Sequence, residues 1–281
     1  MQLANLNGRL AIVSGDQALD VERASNGRFA ADPQAIYERW PEFVGWAKTA
    51  DFSQARAFEE SELEAPAPRP RQVFAIGLNY RDHAAESNFS LPTDPVVFTK
   101  FPSSIGSPNV DVELSSDSVD YEVELVAVIG KRAYRVHADE GWDHIAGLTI
   151  GQDISDREVQ LRGPAPQFSL GKSFPNFGPI GPVVVTVDEF EDRDALGLTT
   201  QLEKGGSTET VQDGNTRDLI FSVPELIARL SAVTVLYPGD IIFTGTPSGV
   251  GLGKTPPQYL HAGEALVSTI EGIGTIRNRL I

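Results

Sequence analysis

The sequence contains no cysteine, and this absence narrows the chemistry open to it. Disulfides, thiolate nucleophiles, iron–sulfur clusters and cysteine-type zinc sites are excluded in one step. Histidine is scarce as well, with 4 residues in a chain of 281. Any bound metal must therefore take oxygen or histidine ligands.

Long apolar runs and basic residues are also missing. No stretch approaches the roughly 18 apolar residues of a membrane span, and residues 1–13 lack the basic and apolar regions of a secretory signal. Lys plus Arg number 23 against 39 Asp plus Glu, a net charge of −16, which repels nucleic acid and anionic membranes. We therefore expect a cytoplasmic protein that binds neither nucleic acid nor membranes. A small anionic substrate stays compatible, since a bound divalent cation can invert the field within one pocket.

What is present is an ordinary globular composition, with 41% hydrophobic and 22% charged residues, in a chain long enough for a sizeable core. Near the N-terminus, turn signals and N-capping preferences predict two short strands and one helix, at residues 8–13, 18–21 and 33–48. The proline-dense stretch 62–71 is typical of an extended linker. We therefore predict a small β-plus-helix domain over residues 1–70 and a catalytic domain over residues 71–281.

The second domain is predicted to be mostly β. Short β-branched runs bounded by Gly, Pro or Asp occur at residues 73–76, 96–99, 125–129, 180–187 and 240–244. Only residues 216–231 show the apolar spacing of a solid helix. Because strands do not alternate regularly with helices, a doubly wound fold is disfavoured, and the pattern predicts a mixed β fold with short helices, of the α+β class.

Three carboxylates are candidates for an oxygen-ligand metal site. On a strand, Glu122 and Glu124 share one face with Val126 and Val128, so both lead into a buried row. A hard cation is an economical way of keeping two buried carboxylates ionised, although a strand end at which both reach solvent is equally consistent. Asp153, which ends another apolar run, could complete the site or simply cap a turn.

Other polar residues suit catalysis or substrate binding. His83 and Glu86 lie at i and i+3, so a helical turn would pair a base with an orienting carboxylate; an incidental surface histidine is the alternative. Lys172, among Gly, Pro and apolar residues, could neutralise an enolate or carboxylate, or be an exposed loop lysine. Arg157 and Gln160 would suit clamping a substrate carboxylate or carbonyl, although placement on the surface is equally consistent.

The glycine-rich stretch 245–254 fails both the phosphate-loop and the dinucleotide patterns. A tight loop whose amides and Thr246 hydroxyl face a substrate anion is the better functional interpretation, against plain turn chemistry.

Together these segments resemble the fumarylacetoacetate hydrolase family over residues 73–281. The matching motifs, in order, are Gly77-x-Asn-Tyr-x-x-His83, Glu122-x-Glu124, Asp153, Lys172-Ser-Phe, Gly178-Pro-Ile-Gly-Pro182, Pro238-Gly-Asp240, Thr244-Gly-Thr-Pro-Ser-Gly249 and Ile270-Glu-Gly-Ile-Gly-Thr-Ile-Arg-Asn-Arg279. No single motif is specific, but the ordered set is. The resemblance implies a β-sandwich roll that forms homodimers.

The resemblance also implies Mg²⁺ or Mn²⁺ held by Glu122, Glu124 and Asp153. It further implies that Lys172 steadies an enolate and that His83, oriented by Glu86, activates water. Lys100 is a further candidate for facing the substrate.

The reaction most in keeping with this resemblance is hydrolysis of the C–C bond of a small acylpyruvate-type 2-oxo acid, with pyruvate enolate leaving. Oxaloacetate decarboxylation and isomerisation of a 2-hydroxy-dienoate need the same enolate stabilisation, so the family alone does not separate them. An inactive metal-binding relative is the alternative from a different class.

Overall fold

The computed structural model describes residues 1–82 and 92–281 and shows a β-rich chain with short helices, as predicted. Within these residues the strands are β1 Gln2–Leu6, β2 Arg9–Ser14, β3 Gln17–Asp20, β4 Arg56–Ala57, β5 Leu63–Glu64, β6 Val73–Gly77, β7 Val96–Thr99, β8 Ile105–Gly106, β9 Asp111–Val112, β10 Val119–Asp120, β11 Val123–Ile129, β12 Ile145–Gln152, β13 Ser155–Asp156, β14 Gly178–Thr186, β15 Gly197–Lys204, β16 Ser207–Asn215, β17 Ile241–Phe243, β18 Ala265–Ile270 and β19 Gly274–Leu280.

The helices of the same residues are short. The α-helices are α1 Val21–Ala24, α2 Trp40–Ala47, α3 Arg157–Gln160, α4 Phe168–Gly171 and α5 Val223–Ser231. The 3-10 helices are Ala35–Arg39, Phe52–Gln54, Glu60–Glu62, Pro102–Ser104, Ala138–His144, Val187–Glu189, Thr216–Asp218 and Gly251–Gly253.

The strands of the described residues form one large sheet and two smaller ones. The large sheet has the order β4-β3-β2-β1-β14-β12-β11-β17-β6-β7, with β5 beside β1 and β8 beside β14. The smaller sheets are β10-β13 and β16-β15-β18-β19-β9. The N-terminal strands continue the large sheet, since Gln2 of β1 pairs with Val185 of β14. The division into domains at residue 70 stays a prediction.

Strand β11 lies deep in the large sheet, between β12 and β17, and is buried on both faces. Leu125 and Ala127 pack in a core that also contains α5, whereas Val126 and Val128 pack in a second core with the aromatic residues near the N-terminus. This double burial explains the apolar run of residues 125–129 within the strand. It also places any polar side chain at the start of β11 at the edge of a dry interior.

Two predicted helices are shorter in the structure than the sequence suggested, and proline explains both. The helix expected over residues 33–48 divides into the 3-10 segment Ala35–Arg39 and α2, because Pro41 has no N–H for the Tyr37 carbonyl and its ring crowds that oxygen. The helix expected over residues 216–231 begins only at Val223, because Pro224 is tolerated only in a first turn.

Two glycines should respond to the same substitution with opposite signs. An added Cβ at Gly147, in β12, would lie 2.5 Å from the Val185 carbonyl oxygen, whereas at Gly45, inside α2, nothing lies within 4 Å. We expect Gly147→Ala to lower the free energy of unfolding by about 1–3 kcal/mol through overpacking. Gly45→Ala should raise it by about 0.5–1 kcal/mol through helix propensity. Denaturant unfolding of both variants checks this, and a stable Gly147→Ala would contradict the packing described for β12.

Candidate active site

Antiparallel pairing of β11 with β12 brings three carboxylates together. Val123 pairs with Gln152, so Glu122, just before β11, lies beside Asp153, just after β12. The Asp153 amide donates to the Glu122 carbonyl at 2.9 Å. Glu124 projects from the same region, and each of the three offers an oxygen within 4.8 Å of the others. All three side chains are buried.

The charges around this acidic triad favour a bound cation. Four buried carboxylates are packed with three buried cationic side chains: Asp120, Glu122, Glu124 and Asp153 with Lys100, Arg157 and Lys172. Burial raises the pKa of Glu124 well above its usual range, and the neighbouring Asp153 and Glu122 raise it further. A buried, oxygen-only donor set with an excess negative charge fits a hard divalent ion such as Mg²⁺ or Mn²⁺. With such an ion the cluster would carry excess positive charge, which suits an anionic substrate.

Lys172 lies directly against the triad, at the C-terminal end of α4. Its ammonium donates to Glu122 Oε2 at 2.9 Å, to Asp153 Oδ2 at 2.6 Å and to Ser155 Oγ at 2.7 Å. Burial lowers the pKa of Lys172, but the charges of Asp153 and Glu122 outweigh it and the pKa is raised. The side chain is therefore a charged ammonium at the site, not an exposed loop lysine.

Lys100 is placed differently from the sequence-based expectation. It is fully buried, and its ammonium contacts Asp153 Oδ1 at 2.8 Å and the Lys172 carbonyl oxygen. It does not line the cavity formed by the described residues. This position behind Asp153 disfavours Lys100 as a substrate contact and favours a role in holding Asp153 and the Lys172 backbone.

Arg157 and Gln160, on α3, both line the cavity, but Arg157 is already engaged. Its guanidinium contacts Glu122 Oε1 at 2.7 Å, Gln160 Oε1 at 2.8 Å and Asp120 Oδ2 at 2.7 Å. An arginine has five N–H groups, so these contacts leave little of it for a substrate. Substrate clamping by the pair stays a prediction.

The glycine-rich loop binds carboxylates of the protein itself. The Gly245 amide donates to Glu124 Oε2 at 2.7 Å, and the Gly251 amide donates to Asp120 Oδ1 at 2.7 Å. The Thr246 hydroxyl donates to the Val123 carbonyl at 2.9 Å and accepts from Gln212 Nε2 at 2.8 Å. Its hydrogen is therefore used internally, which leaves only a lone pair for a substrate.

Glu122 of the triad and Lys172 line a cavity of about 260 Å³. Most of the residues that line it are apolar, and three of the polar ones are joined by ion pairs, since Glu122 contacts both Arg157 and Lys172. Among the described residues it is lined by Ile76, Gly77, Leu78, Phe98, Glu122, Arg157, Gln160, Leu161, Phe168, Lys172, Thr246, Val250 and Leu252. A small acid whose polar end faces the triad fits this distribution.

His83 and Glu86, predicted as base and orienting acid, lie outside the described residues, and their roles stay predictions. The chain that leads to them is anchored at the site. Gly77 and Leu78 line the cavity, and the Asn79 side-chain amide donates to the carbonyls of Phe221 and Thr244 at 3.0 and 2.7 Å.

Asp120 and the buried side-chain amides that hold the triad's backbone were not predicted from the sequence. Gln152 Oε1 accepts from the Glu122 amide at 2.9 Å, and Gln212 Oε1 accepts from the Val123 amide at 3.0 Å. Asp120 had a detectable signal, because it continues the alternation of Glu122 and Glu124. The two glutamines had none, since their partners come from other strands.

The fold and the acidic triad thus define a β-rich protein with a candidate oxygen-ligand metal site. The chain belongs to the fumarylacetoacetate hydrolase family: the model of the Fumarylacetoacetate (FAA) hydrolase C-terminal domain matches residues 72–281. Members of this family are enzymes, so the interpretation as an enzyme is confirmed at this level.

Relatives with curated names include human mitochondrial oxaloacetate tautomerase FAHD2A, 40% identical over 239 residues, which are 84% of this chain and 75% of the human protein. The Xenopus laevis mitochondrial oxaloacetate tautomerase is 36% identical over 84% of this chain and 74% of its own length. No helix in the described residues is long and apolar enough to cross a membrane. The cytoplasmic location and the homodimer stay predictions.

Solved structures resemble the whole chain. A candidate HpcE protein from Mycobacterium smegmatis is 50% identical with a TM-score of 0.94, covering 100% of this chain and 99% of that one. The Exiguobacterium antarcticum fumarylacetoacetate hydrolase is 31% identical with a TM-score of 0.87 over 100% and 99%. A Sphingobium maleylpyruvate hydrolase, solved with manganese(II) and pyruvate, is 25% identical with a TM-score of 0.78 over 100% and 99%. These names span several reactions, so family membership does not select one.

Proposed function

We propose that this protein is a divalent-metal-dependent enzyme that interconverts the keto and enol forms of a small 2-oxo diacid of the oxaloacetate type. The observation that carries the proposal is the contact of the Lys172 ammonium with two members of the acidic triad, at the wall of a small cavity. Curated relatives 36–40% identical to this chain are named oxaloacetate tautomerases. They favour this reaction over the hydrolysis that the motifs alone suggested.

The residues of the site suit the stabilisation of an enolate. Glu122, Glu124 and Asp153 would hold Mg²⁺ or Mn²⁺, which supplies Lewis-acid polarisation of carbonyl oxygens when bound. The buried Lys172 ammonium would provide a fixed positive charge beside the oxygen on which negative charge develops. Tautomerisation also needs a group that takes the proton from carbon 3, and His83 oriented by Glu86 is our candidate for it.

Hydrolysis of an acylpyruvate remains the second candidate. It is favoured by two solved structures that share the fold over the whole chain, the fumarylacetoacetate hydrolase and the maleylpyruvate hydrolase with pyruvate and manganese(II). Hydrolysis needs the same enolate stabilisation and, in addition, an activated water. Oxaloacetate decarboxylation needs the stabilisation without the water.

The three reactions separate in one assay on the purified protein with Mg²⁺ or Mn²⁺, with and without chelator. Enol oxaloacetate is dissolved immediately before mixing, and the loss of enol absorbance is followed beside pyruvate formation. Acetylpyruvate is tested in parallel. We expect chelator-sensitive loss of the enol, faster than in buffer alone, without pyruvate. Pyruvate from oxaloacetate would replace the proposal with decarboxylation, and pyruvate from acetylpyruvate with hydrolysis. No effect on either substrate would favour an inactive relative, or an isomerase whose substrate carries a different side group.

A further inference from the structure

Asp120 is a fully buried carboxylate beside the acidic triad that does not belong to it. Its Oδ1 accepts from the amides of Tyr121 at 2.9 Å and Gly251 at 2.7 Å, and its Oδ2 accepts from the Leu252 amide at 2.9 Å and from Arg157 Nε at 2.8 Å. Both oxygens are thus saturated by donors from three parts of the chain. Such a carboxylate orients its neighbours and has no lone pair to spare for a metal.

Arg157 carries the effect of Asp120 to the site. Its Nε and one terminal nitrogen lie on Asp120, while the other terminal nitrogen lies 2.7 Å from Glu122 Oε1. Because the guanidinium is planar, the contact of one edge with a carboxylate fixes the direction in which the N–H groups of the other edge point. Asp120 therefore determines how Arg157 meets Glu122, a candidate metal ligand.

The second connection of Asp120 is to the cavity wall. Asp120 accepts hydrogen bonds from the Gly251 and Leu252 amides. These amides belong to the loop whose Val250 and Leu252 side chains line the cavity. A side chain at Gly251 would place its Cβ 2.8 Å from Asp120 Oδ1 and would overlap the Gln258 carbonyl oxygen. Only glycine permits this approach of the loop to the carboxylate.

We infer that Asp120 is a positioning residue: through Arg157 it orients Glu122 for the metal, and through the Gly251 and Leu252 amides it holds the loop side of the substrate cavity. The inference rests on the proposed function, because it assumes that the triad binds a divalent ion. Groups that orient metal ligands in this way contribute about 10–100-fold to metal affinity or activity.

The test measures Mn²⁺ affinity by titration calorimetry, independently of turnover, in the full-length protein. We expect Asp120→Asn to weaken Mn²⁺ binding by about 10–100-fold and to raise KM, since asparagine has one acceptor oxygen where the carboxylate has two. Asp240→Asn is the matched control: Asp240 is also fully buried and accepts backbone amides, from Gln72 and Tyr237, at the other end of β17. It should leave Mn²⁺ affinity at the wild-type value.

A double-mutant cycle separates positioning from the charge of Asp120 itself. If Asp120 acts through Arg157, Asp120→Asn should add little to the change in Mn²⁺ affinity already caused by Arg157→Met. A full effect in the Arg157→Met background would mean that the charge acts directly, and would overturn the inference. If Asp240→Asn weakened Mn²⁺ binding equally, the inference would also be overturned, because the effect would then come from general destabilisation of the fold.

If Asp120→Asn does not fold, Arg157→Lys gives the same test, because lysine keeps the charge but cannot span Asp120 and Glu122 with a fork. Unchanged Mn²⁺ affinity in that variant, or in a folded Asp120→Asn, would overturn the inference alone. Failure of the wild-type protein to bind Mn²⁺ would overturn the proposed function as well.

Discussion

Replacing Lys172 with methionine is expected to lower kcat by about 10²–10³-fold, the usual cost of removing one group that stabilises a developing oxyanion. Metal binding should respond differently. The ammonium lies 2.6 Å from Asp153 Oδ2 and 2.9 Å from Glu122 Oε2, where it competes with a cation for the same carboxylates. Mn²⁺ affinity of the variant should therefore be unchanged or higher, since a repelling charge has been removed.

Steady-state kinetics at saturating Mn²⁺ measures the change in kcat, and titration with Mn²⁺ measures the change in metal affinity. Saturating metal is needed because a buried carboxylate pair that loses its cation costs about 3–5 kcal/mol of stability. Lys131→Met makes the same substitution at an exposed position and should leave both quantities unchanged. Loss of Mn²⁺ binding together with loss of activity would show that Lys172 maintains the site's structure and does not stabilise the enolate.

Exchanging Glu124 for glutamine should change metal binding and metal-free stability in opposite directions. Glu124 is buried, and the Gly245 amide donates to it. The variant should lose Mn²⁺ affinity by more than the roughly 10–100-fold typical of residues behind the ligands. In metal-free buffer it should unfold at higher denaturant, with a gain of about 1 kcal/mol, because a carboxyl group whose ionisation is opposed by burial, Asp153 and Glu122 has been replaced by a neutral amide of the same shape.

Denaturant unfolding with and without Mn²⁺ measures both effects. The free energy of unfolding of the wild-type protein should rise with Mn²⁺ concentration, because a ligand that binds only the folded state stabilises it. The free energy of unfolding of Glu124→Gln should rise much less. Glu264→Gln is a suitable control, because Glu264 is a buried acid paired with Lys204 and lies outside the triad. If Glu124→Gln destabilised the metal-free protein, the carboxylate would have a structural partner that outweighs its burial.

The fold class and several strands followed from local pattern. The strand predicted at residues 96–99 matches β7, because short β-branched runs between turn residues encode their own extended conformation. The lengths of the two longer predicted helices were overestimated because each range contains an internal proline, Pro41 or Pro224. The first helix was predicted from capping residues and the second from apolar periodicity, and in both a proline marks the actual boundary.

The candidate site was predicted as a set of residues, and the structure added their arrangement. Glu122, Glu124 and Asp153 could be selected from the sequence because acids beside apolar strand residues are costly to bury without a cation. Lys172 could be selected for a similar reason. Lys100 was predicted to contact the substrate. Its contact with Asp153 was not predictable, because the residues next to Lys100 in the sequence do not indicate which carboxylate its ammonium pairs with.

By itself the sequence determined the oxygen chemistry of the site, through the absence of cysteine and the ordered acidic motifs, and it determined the family through the order of those motifs. Only the tertiary structure decided which charges neutralise which. The Arg157 guanidinium is shared between Asp120 and Glu122, and the glycine-loop amides serve Asp120 and Glu124. Those pairings join residues up to 131 positions apart, and they depend on strand register and loop packing, which no local pattern of residue types encodes.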